Sequence, residues 1–203
     1  MQTAHNQPLP TKPGETILFS DHPEFTPNLT PRQLFRLGSF GGTYWRPIIS
    51  AVNSKHYKDQ HLEFANLETI DYDENGKEYN TKWWDGINEK LLISADCNVE
   101  LNNYSVAAST SLLCWESREW IVSQDPYGWV QWYCRFYSGR RSNDDRRQIS
   151  RWLAFAGPKG RFRKRLIGMC KNKRKSYDDK KVSPVIRQGL QHWAYILTSD
   201  DAK

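Results

Sequence analysis

Between Asp125 and Gly139 the residues Trp129, Trp132, Tyr133 and Phe136 recur at i, i+3, i+4 and i+7, with Arg135 on the opposite side. That spacing marks one face of an α-helix. Rings of this kind bury roughly 150–250 Å² each, so four on one stripe oblige the rest of the chain to supply covering elements. Asp125-Pro126 reads as a capping side chain followed by proline at the first helical position, and Gly139 as the left-handed residue that closes the helix.

The same punctuation occurs at Thr30-Pro31, closed by Gly38, and at Ser183-Pro184. A further helix is signalled by Ser142 as cap, Asp144 and Asp145 in the first turn, Ile149, Trp152, Leu153 and Ala156 facing inward, and Gly157-Pro158 as the stop. Residues 161–170 form a basic helix with Phe162, Leu166 and Met169 inward, and 184–197 a last one with Ile186, Leu190, Trp193 and Leu197 inward. Toward the other end, Ile17-Leu18-Phe19 suits a strand, 50–64 suits a helix, 73–76 a turn, and 91–113 short strands or loops.

These elements predict an α-rich α+β fold, with a helical C-terminal half packed on a small irregular or β N-terminal part. A chain of 203 residues fits one domain, here 15–203, and nine Trp, ten Tyr and eight Phe make its core one of large rings. Residues 1–14, with Pro8, Pro10 and Pro13 among polar neighbours, have the composition of a disordered tail. No run approaches the roughly 18 apolar residues of a spanning helix, and no leader pattern is visible, which predicts no membrane partner and a cytoplasmic or nuclear location.

Four cysteines at 97, 114, 134 and 170 lack the paired spacing of zinc or redox motifs. His56, Asp59, His61 and Glu63 are metal-capable, but two histidines five apart do not share a helical face, so the segment reads as a solvated polar one. No metal and no cofactor is expected. His192 beside Trp193 reads as a partly buried structural histidine.

Charge is unevenly placed. Residues 135–181 hold 17 Lys+Arg against 4 Asp, leaving 12 Lys+Arg against 19 Asp+Glu elsewhere, and 68–100 alone hold 9 Asp+Glu against 3 Lys. The segment Asp125 to Trp152, with its Asp-Pro-Tyr-Gly-Trp start and its Gly139-Arg140-Arg141 and Asp144-Asp145 pairs, resembles a segment of uncharacterised microbial and fungal proteins. Phe25-Thr-Pro-Asn-Leu-Thr-Pro31 and Phe40-Gly-Gly-Thr-Tyr44 resemble parts of the same pattern. The resemblance implies no activity and carries over no catalytic residue.

Three functional readings follow. The first is a nucleic-acid or other polyanion binder, DNA or RNA, using Lys159, Arg161, Arg163, Lys164, Arg165, Lys171, Lys173, Arg174 and Lys175, with Trp152, Phe155, Phe162 and Tyr177 interleaved for base stacking. The competing structural account turns the rings inward and pairs the charges with the protein's own acidic stretch. The second reading is an enzyme of unrecognised class acting on a small anionic ligand. There Arg140 and Arg141 would clamp the anion, and Asp144 or Asp145 would serve as base beside Trp129 or Trp132. Capping carboxylates paired with neighbouring arginines explain the same residues structurally. The third is an interaction scaffold that uses the proline-rich tail and the two charge poles. Gly157-Pro158-Lys159-Gly160-Arg161 could seat a phosphate or simply turn the chain, and it is not a P-loop. Gly38, Gly41 and Gly42 read as positive-φ or close-approach positions in a tight turn.

Overall fold

A computed structural model describes residues 7–9 and 11–203. Among them are six α-helices, α1 (Pro31–Arg36), α2 (Leu112–Ser117), α3 (Trp129–Tyr137), α4 (Asp145–Phe155), α5 (Arg161–Asn172) and α6 (Pro184–His192). Four short strands, β1 (Ile48–Ile49), β2 (His56–Tyr57), β3 (Glu68–Tyr72) and β4 (Glu78–Lys82), form two separate antiparallel pairs, β1 with β2 and β3 with β4. The β3–β4 register places Tyr72 opposite Glu78 around the turn expected at 73–76. The fold is α+β and richer in helix than in strand, as the sequence predicts.

Helix α3 lies at the centre. Every residue in it except Arg135 is buried, Gln131 included, so its aromatic stripe is covered and its other faces are covered too. A helix buried on all sides must be wrapped from several directions. Helices α1 and α4 pack against it, α5 packs on α4 and α6, and the non-helical segment around Phe25 fills the space beside it. The Phe25 ring meets Trp129, Tyr133, Phe136 and Trp152 edge-on at centroid separations of 5.1–6.1 Å. Edge-to-face contacts of this kind add to the stabilisation from burial.

Helix α1 begins as its sequence dictates, in a capping box in which Thr30 and Gln33 satisfy each other's amides. Helix α3 does not. Asp125-Pro126 is followed by a turn in which the Gly128 amide donates to the Asp125 carbonyl at 2.8 Å, and the helix starts only at Trp129. Long-range charges, not the local cap, claim the Asp125 carboxylate. It is fully buried, accepts from Arg135 at 2.8 Å, and is gripped on both oxygens by Arg140 at 2.8 and 2.7 Å. Helix α6 also differs from expectation, ending at His192 instead of running to 197. Ala194 turns to φ +54°, and its carbonyl accepts the Asn28 amide at 2.9 Å, so the chain beyond pairs with 28–29.

Two further expectations are corrected. Residues 50–64 hold no α-helix but β2 and a 3-10 turn at Gln60–Phe64, with Asp59 at φ +56° interrupting any continuous helix. Ile17 and Phe19 are buried and Leu18 exposed in the alternation expected of a strand, but no strand pairs with them among the described residues. Of the tail expected at 1–14, residues 1–6 and 10 lie outside the described residues. The Thr11 carbonyl accepts from Gln33 at 2.6 Å and the Gly14 amide donates to Asn28 at 2.9 Å, so this end of the segment is tied to the body.

Removing the Asp125 carboxylate strands the Arg140 guanidinium and leaves Arg135 to Glu63 alone. Asp125→Ala is expected to cost about 3–5 kcal/mol, read as a lowered urea midpoint at pH 7.

Candidate functional site

The residues proposed as an Arg/Asp active site are built into the scaffold. Arg140 is paired with Asp125, and Arg141 with Asp21 at 2.6 and 3.0 Å while its guanidinium lies 3.8 Å from the Phe136 ring centre. Asp144 receives Arg147 and the Gln148 side chain. Asp145 accepts the Ser142 amide at 2.8 Å, the Ser142 hydroxyl at 2.7 Å and the Trp132 indole N–H at 2.8 Å. Each of the four is consumed by partners within the scaffold, of which the Asp145–Trp132 bond ties α4 to α3, and Trp132 is fully buried. They do not converge on a cavity as the enzyme reading required.

The basic helix is placed differently. Lys159, Arg161, Lys164, Arg165, Lys171, Lys173, Arg174 and Lys175 are all exposed, and none has a carboxylate partner among the described residues. Arg163 is the exception, bonded to the nearly buried Asp201 at 2.7 Å and lying over Tyr195. Positions 161, 164, 165, 168 and 171 share one face of α5 by helical spacing. The acidic stretch does not neutralise it. Asp71 is instead held by Arg32 at 2.7 Å and Arg36 at 2.8 Å, both from α1.

The interleaved rings turn inward. Trp152 is fully buried and donates its indole N–H to the Trp193 carbonyl at 2.8 Å. Phe155 stacks on Phe162 at 4.1 Å and on Trp193 at 5.1 Å, while Tyr177 packs partly buried against the core. Packing therefore engages all four rings, Trp152 fully and Phe155, Phe162 and Tyr177 in part. Gly157 and Gly160 form a plain interhelical corner, where a Cβ on Gly160 would come within 2.6 Å of the Phe155 backbone. Gly38, Gly41 and Gly42 all have positive φ, and a Cβ on Gly42 would sit 1.9 Å from the Lys90 carbonyl oxygen.

Beside the start of α5 lies a cavity of about 670 Å³, walled by Phe40, Trp115, Trp120, Trp129, Phe155 and Trp193, with Arg151, Arg161, Gly189 and His192 also lining it. The His192 Nε2 accepts the Phe40 amide at 3.0 Å and a Gln188 side-chain N–H at 3.1 Å. An acceptor Nε2 in a neutral ring leaves the proton on Nδ1, and Nδ1 has no partner. Phe40 stacks on the imidazole at 3.9 Å with its own backbone at φ +55°, a strained conformation for a bulky residue. Arg151 lies 5.5 Å from the Trp120 ring centre and 5.4 Å from that of Trp193, and no carboxylate pairs with it among the described residues. Its burial, followed by repulsion from Arg147, lowers its pKa to about 10.

His192 and Arg151 were not marked as a site by the sequence, since each stands alone among apolar or basic neighbours. The one local hint is Gly189, a glycine in the middle of a helix. No protein-family model matches the chain, and no curated protein or solved structure matches it. No helix among the described residues is long and apolar enough to cross a membrane.

Burial pushes the His192 imidazole down to about 3. The unfolded ring, near 6.5, takes up a proton that the folded ring refuses, so stability from this group is complete above about 6.5 and is lost as pH falls toward 3, by about 1.4 kcal/mol per unit. His192→Gln retains an acceptor for the Phe40 amide and removes that titration. Its urea midpoint is expected to fall less than that of the wild type between pH 6.5 and 5.

Proposed function

We propose that this protein binds nucleic acid through phosphate contacts along the exposed face of α5 and the turn that follows it. The observation that carries the proposal is the contrast in pairing. Most arginines of 135–147 are used up in ion pairs, whereas eight of the nine cations of 159–175 face solvent without a carboxylate partner. Such a patch attracts polyanions and releases their condensed counterions on contact.

Local physics argues against this charge being a stabilising device. The first turn of α5 contains Arg161, Arg163 and Lys164 and no acidic residue, which sets cations at the positive end of the helix dipole. Only Arg163 is compensated, by Asp201. Clustered cations kept where they oppose the helix fit a role in binding. With Trp152 buried and Phe155, Phe162 and Tyr177 engaged in packing, recognition is led by phosphates and tolerant of sequence, in contrast to a stacking platform.

Fluorescence anisotropy with labelled single-stranded and duplex oligonucleotides at 50 and 200 mM salt tests this. Affinity is expected to fall with salt, with a log–log slope no steeper than about −7 on duplex if all eight cations take part. Lys164→Ala, Arg165→Ala and Lys171→Ala together should make that slope shallower by nearly three units. Arg163 is left intact, because its Asp201 pair is structural. Absence of binding at 50 mM salt, or binding indifferent to salt, defeats the proposal.

A further inference from the structure

We infer that the aromatic cavity beside α5 is a binding site for a planar aromatic carboxylate, whose ring lies among the tryptophans and whose charge meets Arg151. Its volume of about 670 Å³ is that of a pocket for a small organic ligand. Indole and phenyl walls favour a flat π-system over an aliphatic one.

One polar group, Arg151, fixes the ligand's chemistry. Arg151 bonds the Trp120 carbonyl at 3.2 Å and Gln148 Oε1 at 3.0 Å through the same nitrogen, Nη1. That leaves Nε and Nη2, the pair that grips a carboxylate on both oxygens. No protein carboxylate occupies that place among the described residues, although the guanidinium is partly desolvated between two indoles.

Gly189 supplies an independent observation. It lies within α6 on the cavity wall, its φ is not positive, and a Cβ there would rest at an ordinary 3.8 Å from the Phe155 ring. Neither backbone conformation nor packing requires glycine, which disfavours a helix relative to alanine. What its missing side chain does provide is room in the cavity.

Calorimetric titration at 200 mM salt with 2-naphthoate, 2-naphthamide and cyclohexanecarboxylate tests the inference. These ligands are too small to bridge the charges of α5, so the result does not depend on whether nucleic acid binds. 2-Naphthoate should bind at least about tenfold more tightly than the amide or the non-aromatic acid. Gly189→Leu, which sets a branched side chain into the cavity, should weaken binding at least about tenfold, and Trp120→Ala at the exposed rim should weaken it as well. Arg151→Gln should erase the preference for naphthoate over naphthamide, and it decides the matter if Gly189→Leu does not fold. No binding of 2-naphthoate at millimolar concentration, undiminished binding by folded Gly189→Leu, or an intact carboxylate preference in Arg151→Gln overturns the assignment.

Discussion

Helix α3 is enclosed on all its faces, and an enclosed helix of aromatic residues brings hydrogen-bonding groups into the core along with its rings. Most find a partner where water cannot reach, the Gln131 Nε2 and the Tyr137 hydroxyl excepted, and the partners come from every quarter of the chain. The Trp129 indole donates to the His192 carbonyl, that of Trp132 to Asp145, and the Tyr133 hydroxyl to the Leu29 carbonyl. The Gln131 amide donates to the Tyr44 hydroxyl, which in turn donates to the Tyr127 carbonyl. Wrapping α3 with correctly aimed acceptors thereby positions α4, α6 and the extended segments around residues 29 and 44. An apolar interior alone would leave those orientations open, because dispersion and the hydrophobic effect carry little directional information.

The ion pairs follow the same division of labour. Asp125 sits buried under two arginines, Asp71 under two others, and Asp21, Asp144 and Asp201 each hold one. These pairs fasten the layers around α3, where a lost partner would leave a charge against the core. Once they are made, the positive surplus is concentrated on α5 and its following turn. The functional reading of the surface rests on that separation, between cations fixed by structure and cations left to solvent.

The cavity arises at the edge of the same packing. Helix α6 contributes His192 and Gly189, α4 contributes Arg151 and Phe155, and the loop before α2 closes the side. Phe40 links the two systems, since its amide fixes the His192 tautomer while its ring covers the imidazole. A strained Phe40 backbone and an unsatisfied His192 nitrogen meet at one place, and such local costs concentrate at sites that bind.

Much of this was legible in the residues themselves. The helical spacing of Trp129, Trp132, Tyr133 and Phe136, the Thr30-Pro31 start and the cluster of cations in the first turns of α5 are local patterns, and local physics realises them. Where a residue had two ways to be satisfied, the local reading failed. Asp125 could cap a helix or receive distant arginines, and the stronger charge-assisted bonds prevailed, which moved the start of α3 to Trp129. Trp152 could face solvent beside the cations or enter the core, and burial of the large ring won. The cavity was beyond any local pattern, because empty volume belongs to no segment. It exists only through the relative placement of α3, α4 and α6, and that placement is decided by long-range hydrogen bonds and ring contacts that sequence spacing does not encode.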